Sequence, residues 1–423
     1  MNESTQVETS ISTAPVSTAP ASQAQGSEPP REAAGTSRIV SLDAFRGLVM
    51  TLMLAERMRL PIVARAFPQS AIWGLIAYNT EHVDWQGCSL HDLIQPAFSF
   101  LVGAALPFSI ASRKAKGQTF GQMVGHACRR ALILIFLGIF LRSLHSSQTY
   151  WTFEDTLTQI GLGYVFLFML GFTRVRTQVV TLVLILICFW AAFALYPAPG
   201  PLFDYARVGV PPDWSHNYTG FLAHWNKNSN LSWAFDTWFL NLFPREHPFV
   251  FNEGGWSTLS FIPTIATMIM GLLTGEWFKT KGSKAQKLRG LAIAGVALAL
   301  LGLAFQWAGI CPIVKRVWTS SYTLYSGGLV LLILAAFYGL IEWKGWHRWA
   351  FPLVVVGMNS IAVYVMSWTM TDFFGDAINR HFGRVLSAFA SPTFYSVPQG
   401  FAIILIFWLI LFWMYRRKIF LRI

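Results

Sequence analysis

The sequence predicts an all-α polytopic membrane protein with about ten transmembrane helices and both termini in the cytoplasm. Three observations lead there. Hydrophobic residues fill 54% of the 423 positions and charged residues only 12%, against about 25% charged in ordinary soluble domains. The apolar residues arrive in long blocks instead of at helical or strand periods, the mark of spanning helices. Lys and Arg gather in alternate short loops between the blocks, the pattern that keeps basic loops cytoplasmic.

Residues 1–36 are rich in Ser, Thr, Ala, Gln and Pro, with no apolar run. They read as a disordered cytoplasmic tail, neither signal peptide nor folded element. Residues 37–423 read as one membrane domain. Its candidate spans are 39–58, 93–112, 131–147, 157–172, 179–196, 259–278, 291–309, 322–341, 351–373 and 401–415. A few are short for a hydrocarbon core of about 30 Å, and flanking Trp, Tyr and Arg are expected to extend them. The apolar patch 71–78 is too short to span and reads as re-entrant or interfacial.

Loop charge sets the orientation. Basic clusters at Arg113, Lys114, Lys116, Arg129 and Arg130, at Arg174 and Arg176, from Lys279 to Arg289, and at Arg416, Arg417, Lys418 and Arg422 all fall inside. The 142–156 loop, the long 197–255 segment and His82 fall outside. The formal net charge of +12, from 32 Lys+Arg against 20 Asp+Glu, is thereby explained by topology, and no nucleic-acid partner is expected. The four cysteines, Cys88, Cys128, Cys188 and Cys311, lack metal-ligand spacing. Cys88 and Cys311 share the outer side, where a disulfide is permitted. With no zinc motif, P-loop or dinucleotide fingerprint, no metal is expected.

The stretch His82-Val83-Asp84-Trp85-Gln86-Gly87-Cys88-Ser89-Leu90-His91-Asp92 puts two imidazoles and two carboxylates at the mouth of the second span. Ionisable groups at a membrane boundary are functional candidates, because they are expensive unless paired or hydrated. His82 and Asp92 form the expected catalytic pair. His serves general acid–base work near neutral pH, and an Asp on its other nitrogen fixes the tautomer. Ten residues of separation exclude a contact within one helix, so the pairing needs a turn at Gly87. His91 competes for the same role. Asp43 and Arg46 lie one turn apart in the first span, as a latch or as a substrate contact. Asn359 and Ser360 interrupt the ninth span, and a buried Asn either joins helices or lines a polar cavity.

Four blocks carry a resemblance. Arg38-Ile39-Val40-Ser41-Leu42-Asp43-Ala44-Phe45-Arg46-Gly47 is similar to an S-x-D-x-F-R-G opening. His82-x-x-Trp85-x-Gly87 with Asp92-Leu93-Ile94-Gln95-Pro96 and Gly103 is similar to an H-x-x-W-x-G…D-L-x-x-P…G run. Glu253-Gly254 with Ser257-Thr258-Leu259 heads the sixth span, and Gly357-Met358-Asn359-Ser360-Ile361-x-Val363-Tyr364 is similar to a G-M-N-S-I-x-V-Y block. In this order they resemble the transmembrane acyltransferases related to heparan-α-glucosaminide N-acetyltransferase, over most of the membrane domain.

The resemblance implies acetyl transfer from cytoplasmic acetyl-CoA to a sugar or glycan, on an amine or a hydroxyl, across a bacterial inner membrane. It implies His82 as general base or transient acyl carrier, with Asp92 beside it. Asn359, Ser360, Asp43 and Arg46 are expected at the donor, and Trp85, Glu253 and Tyr364 at the acceptor. Its partners are acetyl-CoA, the acceptor, the lipid bilayer and, as an option, a second copy in a homodimer. Two departures bear on the acceptor: Glu56-Arg57 stands where the family often has Asn, and no large lumenal domain precedes the first span. Trp214, Trp225 and Trp233 could stack on sugars or anchor the interface. A proton-coupled transporter or flippase using Asp43, Arg46, His82, Asp92 and Asn359 is the alternative, and it should show two matching halves, which the sequence lacks.

Overall fold

A computed structural model describes residues 39–421; the expected tail at 1–36 lies outside them. The described residues fold as helices in the order α1 (Val40–Ala55), α2 (Leu60–Arg65), α3 (Ala71–Thr80), α4 (Ile94–Ala115) and α5 (Phe120–Ser143). Next come α6 (Thr156–Leu170), α7 (Val175–Leu195), α8 (Leu231–Phe239), α9 (Phe261–Lys279) and α10 (Lys284–Trp307). Then follow α11 (Ser320–Tyr338), α12 (Phe351–Gly357), α13 (Ser360–Thr369), α14 (Thr371–Phe389) and α15 (Ser396–Arg416).

Each of the ten apolar segments is helical, but among the described residues only 7 helices are long and apolar enough to cross a membrane, or 8 if a bent pair counts as one. Three of the ten segments do not meet that measure as single long helices. Helix α1 has 16 residues and α6 has 15, about 24 Å of rise or less against a core of about 30 Å. The ninth segment is broken: α12 and α13, with their flanking turns, meet at 64°, at Met358 and Asn359. The patch at 71–78 becomes α3, which buries no residue and doubles back on α2. Helix α14, amphipathic and unforeseen, follows the break.

Lipid-like surroundings supply no hydrophobic drive between helices, so close backbone packing carries association. Glycines make it at two crossings. A Cβ on Gly103 of α4 would overlap the Met268 carbonyl of α9, and one on Gly271 of α9 would overlap the Phe100 carbonyl of α4. Likewise Gly47 of α1 abuts the Leu353 carbonyl of α12, and Gly357 of α12 abuts the Asp43 carbonyl of α1. The opening block and the G-M-N-S-I block are thus two faces of one helix crossing. Around these contacts Phe45, Phe100, Leu101, Leu157, Ala266 and Leu334 form a closed core, each at 1% exposure or less.

The same packing gathers polar residues at one end of the bundle. Helices α4, α6, α9 and α11 begin there, while α1 and α5 end there. The opposite ends of those helices carry the basic loops, so α4 runs from the His82 loop to Arg113 and Lys114.

Candidate active site

The loop between α3 and α4 turns at Gly87, whose φ of 117° is a left-handed-side conformation that glycine adopts without strain. The turn brings His82 and Asp92 together, with Nδ1 of His82 2.8 Å from Oδ1 of Asp92. Asp92 is fully buried and its other oxygen accepts from the backbone N–H of Ser89 at 3.0 Å, the Ser89 hydroxyl at 3.1 Å and the Val83 N–H at 3.3 Å. So many donors require an ionised carboxylate. Tyr322, from α11, donates its hydroxyl to the Asp92 carbonyl at 2.8 Å and fixes the start of α4.

A second loop, between α10 and α11, completes the arrangement. It is joined to the first by a bridge between Gln86 and Val314 and by the Gly87 N–H donating to the Ile313 carbonyl. The bridge delivers Lys315, 2% exposed, with Nζ 3.3 Å from Asp92 Oδ1 and 3.1 Å from His82 Nδ1. Both nitrogens converge on Asp92. The carboxylate is nearer to the imidazole, so Nδ1–H donates to it, and Nε2 is left as the ring's acceptor. Arg316 donates to the Val83 carbonyl at 3.1 Å and the Gly254 carbonyl at 3.0 Å. It lies over the Trp256 ring, as Lys315 does. Trp256 in turn meets His82 edge-on, 5.5 Å between centroids.

Desolvation in the cleft lowers the His82 pKa from its ordinary value, and the Lys315 ammonium lowers it further, against the opposing pull of Asp92. Desolvation likewise lowers the Lys315 pKa, opposed by Asp92. The His82 side chain remains 36% exposed, open to a cleft of about 330 Å³. His82 is therefore held neutral near neutral pH with its acceptor nitrogen unspent, the state a general base requires.

The facing wall comes from α5, α6 and α13. Asp155 caps α6, accepting the Leu157 N–H at 2.9 Å, and also receives the Tyr364 hydroxyl at 2.7 Å and Arg142 Nε at 3.4 Å. Glu154 accepts from the Asn252 amide at 2.9 Å, and desolvation holds its pKa above the ordinary carboxylate value. His91, Glu56, Arg57, Gln95 and Trp368 close the rim. His91 stacks obliquely on His82 at 4.5 Å between ring centroids.

Of the residues expected from sequence, His82, Asp92, Tyr364 and the competing His91 meet at this cleft. The others sit elsewhere. Asn359 stands at the break between α12 and α13 and holds the C-terminal segment, its amide donating to the Ile419 carbonyl and accepting the Leu421 N–H, each at 3.0 Å. Ser360 begins α13 beside it, and Asp43 pairs with Arg46 at 3.3 Å along α1. Trp85 is wholly buried, its indole donating to the Trp225 carbonyl at 3.2 Å; Trp225 is buried with it and Trp214 meets it edge-on. Trp233 donates to the Val250 carbonyl. Glu253 is exposed in the turn before Trp256. Cys88 and Cys311 are free thiols. Among the described residues no three His, Cys, Asp or Glu side chains are grouped to hold a metal.

Lys315, Arg316, Trp256, Glu154 and Arg142 were not legible as site residues. Their signal was weak: a Lys-Arg pair in a short loop reads as topogenic charge, and a loop Trp as an interfacial anchor.

No family model matches the chain. It is 23% identical over 381 residues to the heparan-alpha-glucosaminide N-acetyltransferase of Homo sapiens, covering 81% of this chain and 55% of that protein. It is 21% identical over 389 residues to the Mus musculus protein of the same name, covering 82% and 56%. The chain spans about half the length of these curated relatives. Over about four-fifths of its own length the chain is related in sequence to the heparan-alpha-glucosaminide N-acetyltransferases.

Proposed function

We propose that the protein is a membrane acyltransferase that moves an acetyl group from acetyl-CoA to a sugar amine or hydroxyl, with His82 as general base. The observation that carries this reading is the His82–Asp92–Lys315 arrangement: a neutral imidazole, tautomer fixed by a buried carboxylate, opening on a cleft of about 330 Å³. His82 Nε2 takes the proton from the acceptor amine or hydroxyl as its lone pair attacks the thioester carbonyl. The C–S bond breaks, and the departing thiolate recovers that proton from the imidazolium. Asp92 stabilises the imidazolium between the two transfers. In the acyl-carrier variant, Nε2 attacks the thioester carbonyl and the C–S bond breaks to release the CoA thiolate; the acceptor then attacks the acetyl carbon, the bond to Nε2 breaks, and the acceptor's proton passes through the freed Nε2 to the thiolate.

Sidedness follows from the same helices. The basic loops lie at the ends of the bundle opposite the cleft, which supports cytoplasmic termini and an extracytoplasmic His82. Asn359, Ser360, Asp43 and Arg46 then lie away from His82; they are proposed to hold the α1–α12 crossing in place and not to touch the reacting atoms.

The test is transfer of labelled acetyl from acetyl-CoA to amino sugars by the protein in nanodiscs, with thermal stabilisation by acetyl-CoA measured alongside. His82→Ala is expected to lose transfer by about a thousandfold or more while acetyl-CoA still stabilises it. Absence of both transfer and stabilisation in the parent protein would sink the reading. Acetylated histidine trapped by rapid acid quench selects the acyl-carrier form.

A further inference from the structure

Beside the polar cleft lies a second hollow of about 400 Å³, within the roughly 300–1,000 Å³ of ligand sites. Its walls are Leu52 and Ala55 of α1, Leu60 of α2, and Trp73, Leu75 and Ile76 of α3. The polar groups at its far wall are already satisfied: Asn79 donates to the Leu75 carbonyl and accepts the Leu90 N–H, and Thr80 donates to Ile76. What remains for a ligand is hydrocarbon. The two hollows share Glu56 and His91 as a common wall, and His91 is the ring against His82. The apolar hollow therefore adjoins the reacting imidazole. Its outer wall, α3, exposes Ile72 at 72% and Leu75 at 65%, so in a bilayer the hollow borders lipid chains.

We propose that this groove holds the hydrocarbon tail of the acceptor, so that the acceptor is an amphiphile: a sugar headgroup at His82 joined to a lipid chain lying between α1 and α3. The assignment rests on the acyl-transfer reading above and narrows its acceptor class. A soluble glycan would leave the apolar groove beside the reacting pair to bilayer lipid alone. A lipid-linked sugar fills both hollows and enters laterally from the membrane.

The experiment compares methyl and dodecyl β-glucosaminide as acceptors in nanodiscs, for the parent protein, Ala55→Trp and Leu75→Gln. The parent is expected to favour the dodecyl acceptor in kcat/KM by at least about tenfold, or about 1.4 kcal/mol, less than burying two methylenes yields. Both variants are expected to shrink that ratio toward one, their folding checked by thermal stabilisation with acetyl-CoA. Equal use of the two acceptors by the parent overturns the proposal. Alongside, a glucosaminide with a photoactivatable tail is crosslinked to the parent and mapped against a phospholipid carrying the same tail. Labelling of residues 52–60 and 73–80 by the glucosaminide well above that by the phospholipid supports the groove. Equal labelling shows annular lipid only and overturns it. Selective labelling without acetyl transfer to either sugar supports the glycolipid site and sinks the acyl-transfer reading instead.

Discussion

The ammonium of Lys315 stands 3.1 Å from Nδ1 of His82, and both point at the same oxygen of Asp92. A cation so placed opposes a second positive charge on the ring, so it works with desolvation to keep His82 neutral. Glu154, Asp155 and Tyr364 across the cleft, and Glu56 and His91 at the rim, are the other titratable groups facing this space, with Arg57 and Arg142 as fixed charges.

The activity of the parent protein should therefore hold to pH values below 6.5, since the base is lost only when pH falls through the lowered pKa of His82. In Lys315→Met the ammonium is gone, the imidazolium is favoured, and the acid limb of the kcat/KM profile moves to higher pH. Rates at pH 6 then fall more than rates at pH 8. An unmoved acid limb would show that Lys315 acts only as a structural tie.

Asp92→Asn removes the group that fixes the His82 tautomer, and turnover should fall by about 10²–10⁴. It also leaves Lys315 buried without its anion, at about 3–5 kcal/mol of stability. The double variant Asp92→Asn/Lys315→Met should regain much of the lost melting temperature and none of the activity. Recovery of both would place Asp92 among packing residues.

The sequence exposed the His82–Asp92 pair because eleven residues and one glycine turn contain it. It concealed Lys315 because that residue arrives 233 positions later in sequence than His82, on a loop docked by backbone bridges that leave no pattern in side-chain type. Chemistry and topology also use the same residues: Arg316 next to it looks like one more loop charge, yet it ties the Val83 and Gly254 carbonyls. Hydropathy found each of the ten apolar segments as helix. It did not report the 64° break at Asn359 or the shortness of α1 and α6, because apolarity carries no record of where a helix bends or stops. The Gly357 and Asn359 block reads as site-like, while the structure uses it for a helix crossing and for holding the C-terminal segment.

Tyr364→Phe tests the wall facing His82. It deletes a 2.7 Å bond to Asp155, a bond to a charged acceptor that contributes about 1.5–3 kcal/mol. Thermal stability should fall, and Arg142, left as the remaining partner of that oxygen at 3.4 Å, should limit the loss. If Tyr364 also touches the acceptor, the acceptor KM rises while the acetyl-CoA KM stays put. A drop in stability with both KM values unchanged assigns it to the scaffold alone.

Asn359→Ala separates the two uses of the break between α12 and α13. The side chain is 1% exposed and makes two 3.0 Å bonds to the segment after α15, so the variant should lose about 1–3 kcal/mol of stability and free the C-terminal residues to proteolysis. Gly357→Ala, in the same block, should destabilise through a different route, because its new Cβ meets the Asp43 carbonyl and pushes α12 off α1. Helix α1 ends at Ala55, and the turn that continues it places Glu56 and Arg57 on the cleft. A shift of that helix should therefore lower turnover in Gly357→Ala beyond any loss in Asn359→Ala, when both are assayed well below their melting temperatures. Equal turnover in the two variants would mean that the crossing sets stability and leaves the geometry at His82 untouched.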